Sequence, residues 1–190
     1  AANCTIYSYI TDRDGKQLGQ TKEQPLSLSI NGRGTIRQKI SVANPTLWSL
    51  EDPYLYRVVS VVKSENKIVD VVKDRFGIRT LRFDGNEGFF LNDKHVKIYG
   101  VNNHQDHAGV GSALPDYLQY YRISLLKKMG ANAYRTSHNA PTPELLDACD
   151  SLGMLVLDEQ RLLNSSPEYM NQFERLIKRD RNHASVFIWS

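Results

Sequence analysis

Side chains able to do chemistry gather at three places in this 190-residue chain. The first is Asn102-Asn103-His104-Gln105-Asp106-His107, the second Arg135-Thr136-Ser137-His138-Asn139, and the third the pair Asp158-Glu159. Each follows a short apolar run: Val96 to Val101, Ala133-Tyr134, and Leu155 to Leu157. If those runs are parallel strands, all three sets sit at carboxyl ends, where α/β folds place function. Three of the five histidines then share one rim with an arginine and several carboxylates. Such a mixture of donors and acceptors suits a ligand with many hydroxyls. Asp158 and Glu159 look like a pair, but neighbours on a strand point to opposite sides, so at most one faces the rim. His183 precedes a fourth apolar run, at the opposite end, where packing and capping are its expected role. His95 falls in a hairpin and carries no functional weight.

A metal hydrolase is a rival reading. His104-x-x-His107 with His138 and Asp158 offers zinc-type ligands, although a strand-borne His-x-His is absent. No Gly-x-Ser-x-Gly elbow supports a serine triad, and no Gly-x-Gly-x-x-Gly follows the first strand of the α/β region. Cys4 and Cys149 lie too far apart in sequence for metal spacing or a disulfide framework, and read as two unrelated thiols.

Composition narrows the classes. Lys+Arg is 24 and Asp+Glu 21, a net +3, too mild to argue for nucleic acid or an anionic membrane. Apolar residues make up 41% and charged residues 24%, which allows a packed core. No apolar run approaches the roughly 18 residues a spanning helix needs. Ala1-Ala2-Asn3-Cys4 shows neither the basic nor the apolar region of a signal peptide. The location stays open, with the periplasm or the exterior suiting a longer parent.

The elements that must position the rim change character near residue 84. Before it, two-residue alternation marks short strands: Leu26, Leu28, Ile30; Ile36, Gln38, Ile40, Val42; Tyr54 to Val62; Ile68 to Val72. Asp14-Gly15, Asn31-Gly32, Asn44-Pro45, Asp52-Pro53 and Glu65-Asn66 separate them, as in an antiparallel sandwich. About 80 residues is short for that fold, which fits entry after its first strand. After residue 84, Phe89 to Leu91 and Asn92-Asp93-Lys94 open a hairpin into the strand Val96 to Val101. Asp116 to Met129 reads as a helix with a stripe of Leu118, Tyr121, Leu125 and Met129, ended by Gly130. Thr142-Pro143-Glu144 starts a second helix, striped by Leu145, Leu146, Cys149 and Leu152 and closed by Gly153; Ser166-Pro167-Glu168 starts a third. Val186 to Trp189 is the last strand. Alternating strands and helices imply a parallel sheet, either a small doubly wound one or half of a (β/α)8 barrel.

Longer strings carry a family resemblance. Asn132-Ala-Tyr-Arg-Thr-Ser-His138, Pro143-Glu-Leu-Leu-Asp-Ala-Cys-Asp-Ser-Leu-Gly153 and Leu155-Val-Leu-Asp-Glu159 together resemble the first signature of glycoside hydrolase family 2, the β-galactosidases, β-glucuronidases and β-mannosidases. Arg179-Asp-Arg-Asn-His-Ala-Ser-Val-Phe-Ile-Trp-Ser190 is similar to the second signature, cut short, and Gly100-Val-Asn-Asn-His-Gln-Asp106 to the family's Gly-Val-Asn-Arg-His-x-Asp. Leu47-Trp-Ser-Leu-Glu-Asp-Pro-Tyr-Leu-Tyr56 and Phe76-Gly-Ile-Arg79 resemble its immunoglobulin-like middle domain.

The resemblance implies an immunoglobulin-like β-sandwich over 1–83, followed over 84–190 by a truncated (β/α)8 TIM barrel of about four strands and three helices. It implies a retaining β-glycosidase, β-galactosidase first, with sugar-binding roles for His104 and His138 and a site role for Arg135. Asn102, Asp106, Asp158 and Glu159 complete the candidate substrate-binding set. The general acid/base of the family lies in Trp-Ser-x-Gly-Asn-Glu and the nucleophile on a later strand, so both are expected beyond Ser190 and the chain alone is expected to be inactive. The alternative is a non-catalytic glycan-binding module. Several positions depart from the family pattern. Asn103 stands where Arg is usual, Tyr121-Arg122 where Arg-Asp is usual, and His138-Asn139-Ala140-Pro141 where some members have a His-Tyr-Pro. Gln160-Arg-Leu-Leu-Asn-Ser165 lacks the Glu and His of magnesium-binding members, with Leu163 and Ser165 where ligands would lie, so no metal and no other cofactor is expected. Carbohydrate is the expected partner, with no nucleic acid and no membrane, and the exposed edges of a half barrel invite self-association.

Overall fold

The computed structural model describes residues 2–162 and 164–190. Contacts divide the chain into two units, Ala1–Pro45 with Leu55–Phe76, and Thr46–Tyr54 with Gly77–Ser190.

The first unit is antiparallel. Its strands β1 (Ala2–Thr11), β2 (Gln17–Gln20), β3 (Gln24–Leu28), β4 (Tyr56–Ser64) and β5 (Lys67–Phe76) form a sheet ordered β2-β1-β4-β5, with β3 also paired to β1. Alternation explains the burial: Val59 and Val61 of β4, opposite Tyr9 and Tyr7 of β1, are buried on one face, and Ile10, opposite Val58, is buried on the other. The turn after β1 is set by Asp12, whose carboxylate accepts the N–H groups of Asp14 and Lys16 at 3.1 and 2.8 Å. The alternating residues Ile36 to Val42 do not form the expected strand. Gln38 fastens them to the sheet: it accepts from the Ser8 hydroxyl at 2.7 Å and donates to the Ile6 carbonyl at 3.2 Å. Side-chain bonds thus replace a backbone ladder.

The second unit begins with a small antiparallel sheet, β6 (Leu81–Asp84), β7 (Gly88–Leu91) and β8 (Lys94–His95). Then β9 (Gly100–Asn103), α1 (Asp116–Lys128), β10 (Ala133–Thr136), α2 (Pro143–Leu152), β11 (Leu155–Asp158), α3 (Pro167–Asp180) and β12 (Val186–Trp189) alternate. The four later strands are parallel and in plain sequence order, β9-β10-β11-β12. A doubly wound sheet reverses its order at a switch point; this one does not.

One face of the parallel sheet carries the core. Tyr134, Val156 and Val186 pack with Ile123, Leu145, Leu146, Cys149 and Met154. Ala133, Arg135 and Leu157 lie on the opposite face, as strand alternation requires; there Phe187 meets Phe83 and Phe89 at 6.2 and 5.2 Å between ring centres. Helix α1 is rotated from its expected stripe. Leu118, Gln119 and Ile123 are buried, whereas Tyr121, Leu125 and Met129 are exposed. The helix offers two apolar stripes, and packing against the core around Ile123 chooses between them. Strand β9 starts at Gly100, later than expected, because Asn132 takes the backbone before it: it accepts from Tyr99 N–H at 2.7 Å and donates to the Lys97 carbonyl at 2.8 Å.

Thr142 and Ser166 take the N-cap positions with Pro following, but neither hydroxyl makes a cap bond. Gly153 closes α2 at φ 71°, and a Cβ there would meet the Leu50 carbonyl oxygen at 2.5 Å; only glycine meets both demands. Behind it, Asp150 ties the unit together. Its carboxylate accepts Ser185 N–H at 2.8 Å and pairs with His183 Nδ1 at 2.7 Å, while its carbonyl accepts the indole N–H of Trp48 at 2.8 Å. Arg79 donates to the carbonyls of Ala184 and Val186. Cys4 and Cys149 are free thiols. Among the described residues no helix is long and apolar enough to cross a membrane.

Candidate active site

The carboxyl ends of β9, β10 and β11 bring one compact network together. Strand β11 alternates, so Val156 and Asp158 face the helices while Leu157 and Glu159 face the other side. Glu159, just past the strand end, is the carboxylate that reaches the rim. Its side chain is 7% exposed, and its two oxygens are both engaged. Arg135 Nε donates to Oε2 at 2.6 Å, and His138 Nδ1 lies 2.6 Å from Oε1. Glu159 N–H donates to Thr136 Oγ1 at 2.9 Å, which locks the turn out of the strand. Burial pushes the Glu159 carboxyl up, but hydrogen bonds from His138 and Arg135 outweigh it and hold the group below its ordinary value.

An ionised carboxylate only accepts, so the imidazole proton facing Glu159 sits on Nδ1. In the neutral ring, Nε2 is then an acceptor for a hydroxyl. The His138 side chain is 49% exposed. His104, carried by the loop after β9, meets it edge-on with ring centres 5.4 Å apart. The two imidazoles and Arg135 form a polar surface, in which one buried carboxylate orients His138 and Arg135.

The other candidates are placed differently. Asn102 shares a register line with Arg135 on the adjacent strand. Asp106 is exposed in the loop after β9, outside the Glu159 network. Asp158 is fully buried on the helix side, so its inclusion among the ligand contacts is corrected: strand alternation turns it away from the rim. Both its oxygens are buried without a donor. Burial, then the neighbouring Asp180 carboxylate, push its carboxyl up to about 7. Asp180 is gripped by Arg179 through Nε and Nη2 at 2.6 and 2.7 Å. Sequence reasoning passed over Thr136; its one signal was a hydroxyl placed between Arg135 and His138.

The zinc-type set does not converge. His107 is drawn into a tight turn paired with Gly111, and Asp158 is buried away from the histidines. Among the described residues, the group of three with ligand atoms within 4.8 Å of one another is Asp147, Asp150 and His183, where Asp150 already serves His183 and Ser185. The stretch after β11 does not fit a magnesium ion either. Gln160 donates to the Tyr169 carbonyl and Arg161 to Asn139 Oδ1, and Leu162, Asn164 and Ser165 supply no carboxylate or imidazole. Leu163, named in that expectation, lies outside the described residues.

The strand-end Arg-His-Glu network sits on a singly wound α/β unit that shares its chain with an antiparallel unit, and comparison with known proteins supplies the family. Residues 1–79 match the model of glycosyl hydrolases family 2, and residues 84–166 match the model of that family's TIM barrel domain. The chain belongs to glycosyl hydrolases family 2. It is 34% identical over 200 residues to the beta-galactosidase BoGH2A of Bacteroides ovatus, covering 99% of this chain and 23% of that protein. It is 31% identical to a beta-glucuronidase of Formosa agariphila, covering 98% of this chain and 20% of that one. The crystal structure of a family 2 member from Bacteroides cellulosilyticus superposes with a TM-score of 0.87 at 35% identity, over 98% of this chain and 26% of that one. The chain thus spans about a quarter of the length of these relatives.

Proposed function

We propose that the 190 residues are the sugar-recognition portion of a longer retaining β-glycosidase, acting on terminal β-galactosides. Glu159 bridging Arg135 and His138 carries this reading. A buried carboxylate that orients an exposed imidazole and a guanidinium is a device for reading hydroxyl groups. His138 and His104 contact sugar hydroxyls, Arg135 holds Glu159 ionised, and Asn102 lines the same face. The four parallel strands are the first half of a (β/α)8 barrel, preceded by an immunoglobulin-like domain, which divides the chain near residue 84. Relatives named as β-galactosidases and β-glucuronidases support a β-linked hexose as substrate.

Retaining hydrolysis needs two carboxyl groups about 5–5.5 Å apart, one to protonate the leaving oxygen and one to attack. Glu159 has both oxygens occupied and Asp158 is buried, so neither is available. Asp106 stands apart in the loop after β9, so these candidates form no such pair; we place the reacting pair outside these 190 residues, with no turnover by this chain alone. Turnover in the longer enzyme needs no divalent cation, so extended chelation leaves its rate unchanged.

The test is a sensitive assay of the purified chain beside the full-length enzyme on nitrophenyl β-galactoside, β-glucuronide and β-mannoside. Hydrolysis by the full-length enzyme alone, fastest on the galactoside, is expected. Turnover by the 190 residues, persisting after host enzymes are removed, would overturn the division of labour, and a faster glucuronide rate would overturn the sugar assigned.

A further inference from the structure

We propose that Arg122 is a positioning residue for His104, fixing from helix α1 the backbone that presents this imidazole to the sugar; the proposal rests on His104 being a sugar contact. The loop leaves the sheet at Asn103, so its carbonyls lose their ladder partners where His104 begins. Two side chains from neighbouring elements replace them. Arg122 Nη2 donates to the His104 carbonyl. The Tyr134 hydroxyl, from β10, donates to the Asn103 carbonyl at 3.4 Å. Burial pushes the Tyr134 phenol up to about 12, so it remains a donor across the neutral range.

Those two carbonyls belong to the peptide planes on either side of the His104 Cα. Peptide units are rigid, so holding both planes sets φ and ψ of His104 and with them the direction of its side chain. The imidazole is exposed, and its edge-on contact with His138 depends on that direction. Arg122 also bears a cost that packing alone does not explain. Its Nη1 is buried without a hydrogen-bond partner among the described residues, as is Oε1 of Gln119, three residues earlier on the same helix face. Leaving buried polar atoms unmatched destabilises a fold, and an apolar residue at 122 would avoid it.

The experiment is a double-mutant cycle in the full-length enzyme, with kcat and KM measured on whichever nitrophenyl β-glycoside it turns over fastest. Arg122→Met and His104→Ala should each lower kcat/KM by roughly 10- to 100-fold. If Arg122 acts through His104, the double variant should be no worse than His104→Ala, within about twofold. Arg122→Lys, which keeps one donor for one carbonyl, should recover most of the loss. Should Arg122→Met fail to fold, Arg122→Gln completes the cycle. Losses that multiply in the double variant, or wild-type kinetics in the single one, would overturn the proposal. An unimpaired His104→Ala would overturn the sugar-contact reading itself, and the proposal with it.

Discussion

Two histidine–carboxylate pairs stand at opposite ends of the same parallel sheet. His138 and Glu159 meet at 2.6 Å at the carboxyl ends of the strands, and His183 and Asp150 at 2.7 Å near the amino end of β12. The bond is nearly the same; the burial is not. The His138 side chain is 49% exposed and that of His183 18%. At the rim the carboxylate alone is buried, so the imidazole is oriented yet open to a ligand. At the other end both partners are enclosed, and the Asp150 carboxylate also accepts a backbone N–H from Ser185. One pair presents a group outward; the other closes a loop. Exposure of the histidine, rather than the hydrogen bond, separates the two pairs and motivates the proposal that the open one recognises sugar.

The largest expected effect lies at the closed end. Asp150→Ala removes the acceptor of both Ser185 N–H and His183, and breaking such a buried network costs about 3–5 kcal/mol. Urea unfolding of the chain should show the loss, with Asp150→Asn retaining part of it. A change below about 1 kcal/mol would mean that the pair does not hold the loop.

The buried carboxylate beneath the rim should respond to pH. The Asp158 carboxyl is pushed up to about 7 by burial and Asp180, above the ordinary value of about 4. Between those values the folded state holds a proton that the unfolded state releases. Stability therefore falls as pH rises from about 4 to about 7, by about 1.4 kcal/mol for each step of one in pH, and then levels. Asp158→Asn should flatten that slope and raise Tm at pH 8 more than at pH 5. Equal changes in Tm at both pH values would contradict a raised Asp158 carboxyl.

The two pairs should also titrate in different windows. Burial works against the charged form of His183, but its bond to Asp150 raises the imidazole above its ordinary value. Its contribution is therefore full below the unfolded value of about 6.5 and is lost as pH rises through the raised one. Glu159 is held below its ordinary value, so its contribution is present above about 4.3 and lost as pH falls through the lowered one. Unfolding series of His183→Gln and Glu159→Gln should differ from the parent in the neutral and acid ranges respectively; a shared window would erase the contrast.

Much of this was legible in the sequence. The starts of all three helices, the closing role of Gly153, and the strands at Ala133, Leu155 and Val186 follow from local signals that tertiary contacts left intact. The rim histidines, Arg135 and Glu159 stand out by their position after apolar runs. Other features were not legible. Strand alternation allows one of Asp158 and Glu159 at the rim but cannot say which, because that depends on where the strand's inner face begins. The α1 stripe is ambiguous because Leu118 belongs to two apolar rows, and only the partner surface selects one. The late start of β9 depends on Asn132, more than thirty residues away in sequence.

The smallest effect concerns the edges. Strands β9 and β12 each have one paired neighbour within these residues, and open edges favour weak association. Sedimentation of the isolated chain should show concentration-dependent self-association; a sharply monomeric species at high concentration would contradict it.

The central claim is that the exposed pair reads sugar and the enclosed pair holds the fold. His138→Ala and His183→Ala in the full-length enzyme, each measured for kcat/KM and for Tm, test it directly. The account predicts a crossing. His138→Ala should lose about 100-fold or more in kcat/KM with little change in Tm, and His183→Ala should lower Tm while the folded fraction keeps near-normal kinetics. Near-normal turnover by His138→Ala, or the same pattern in both variants, would contradict it.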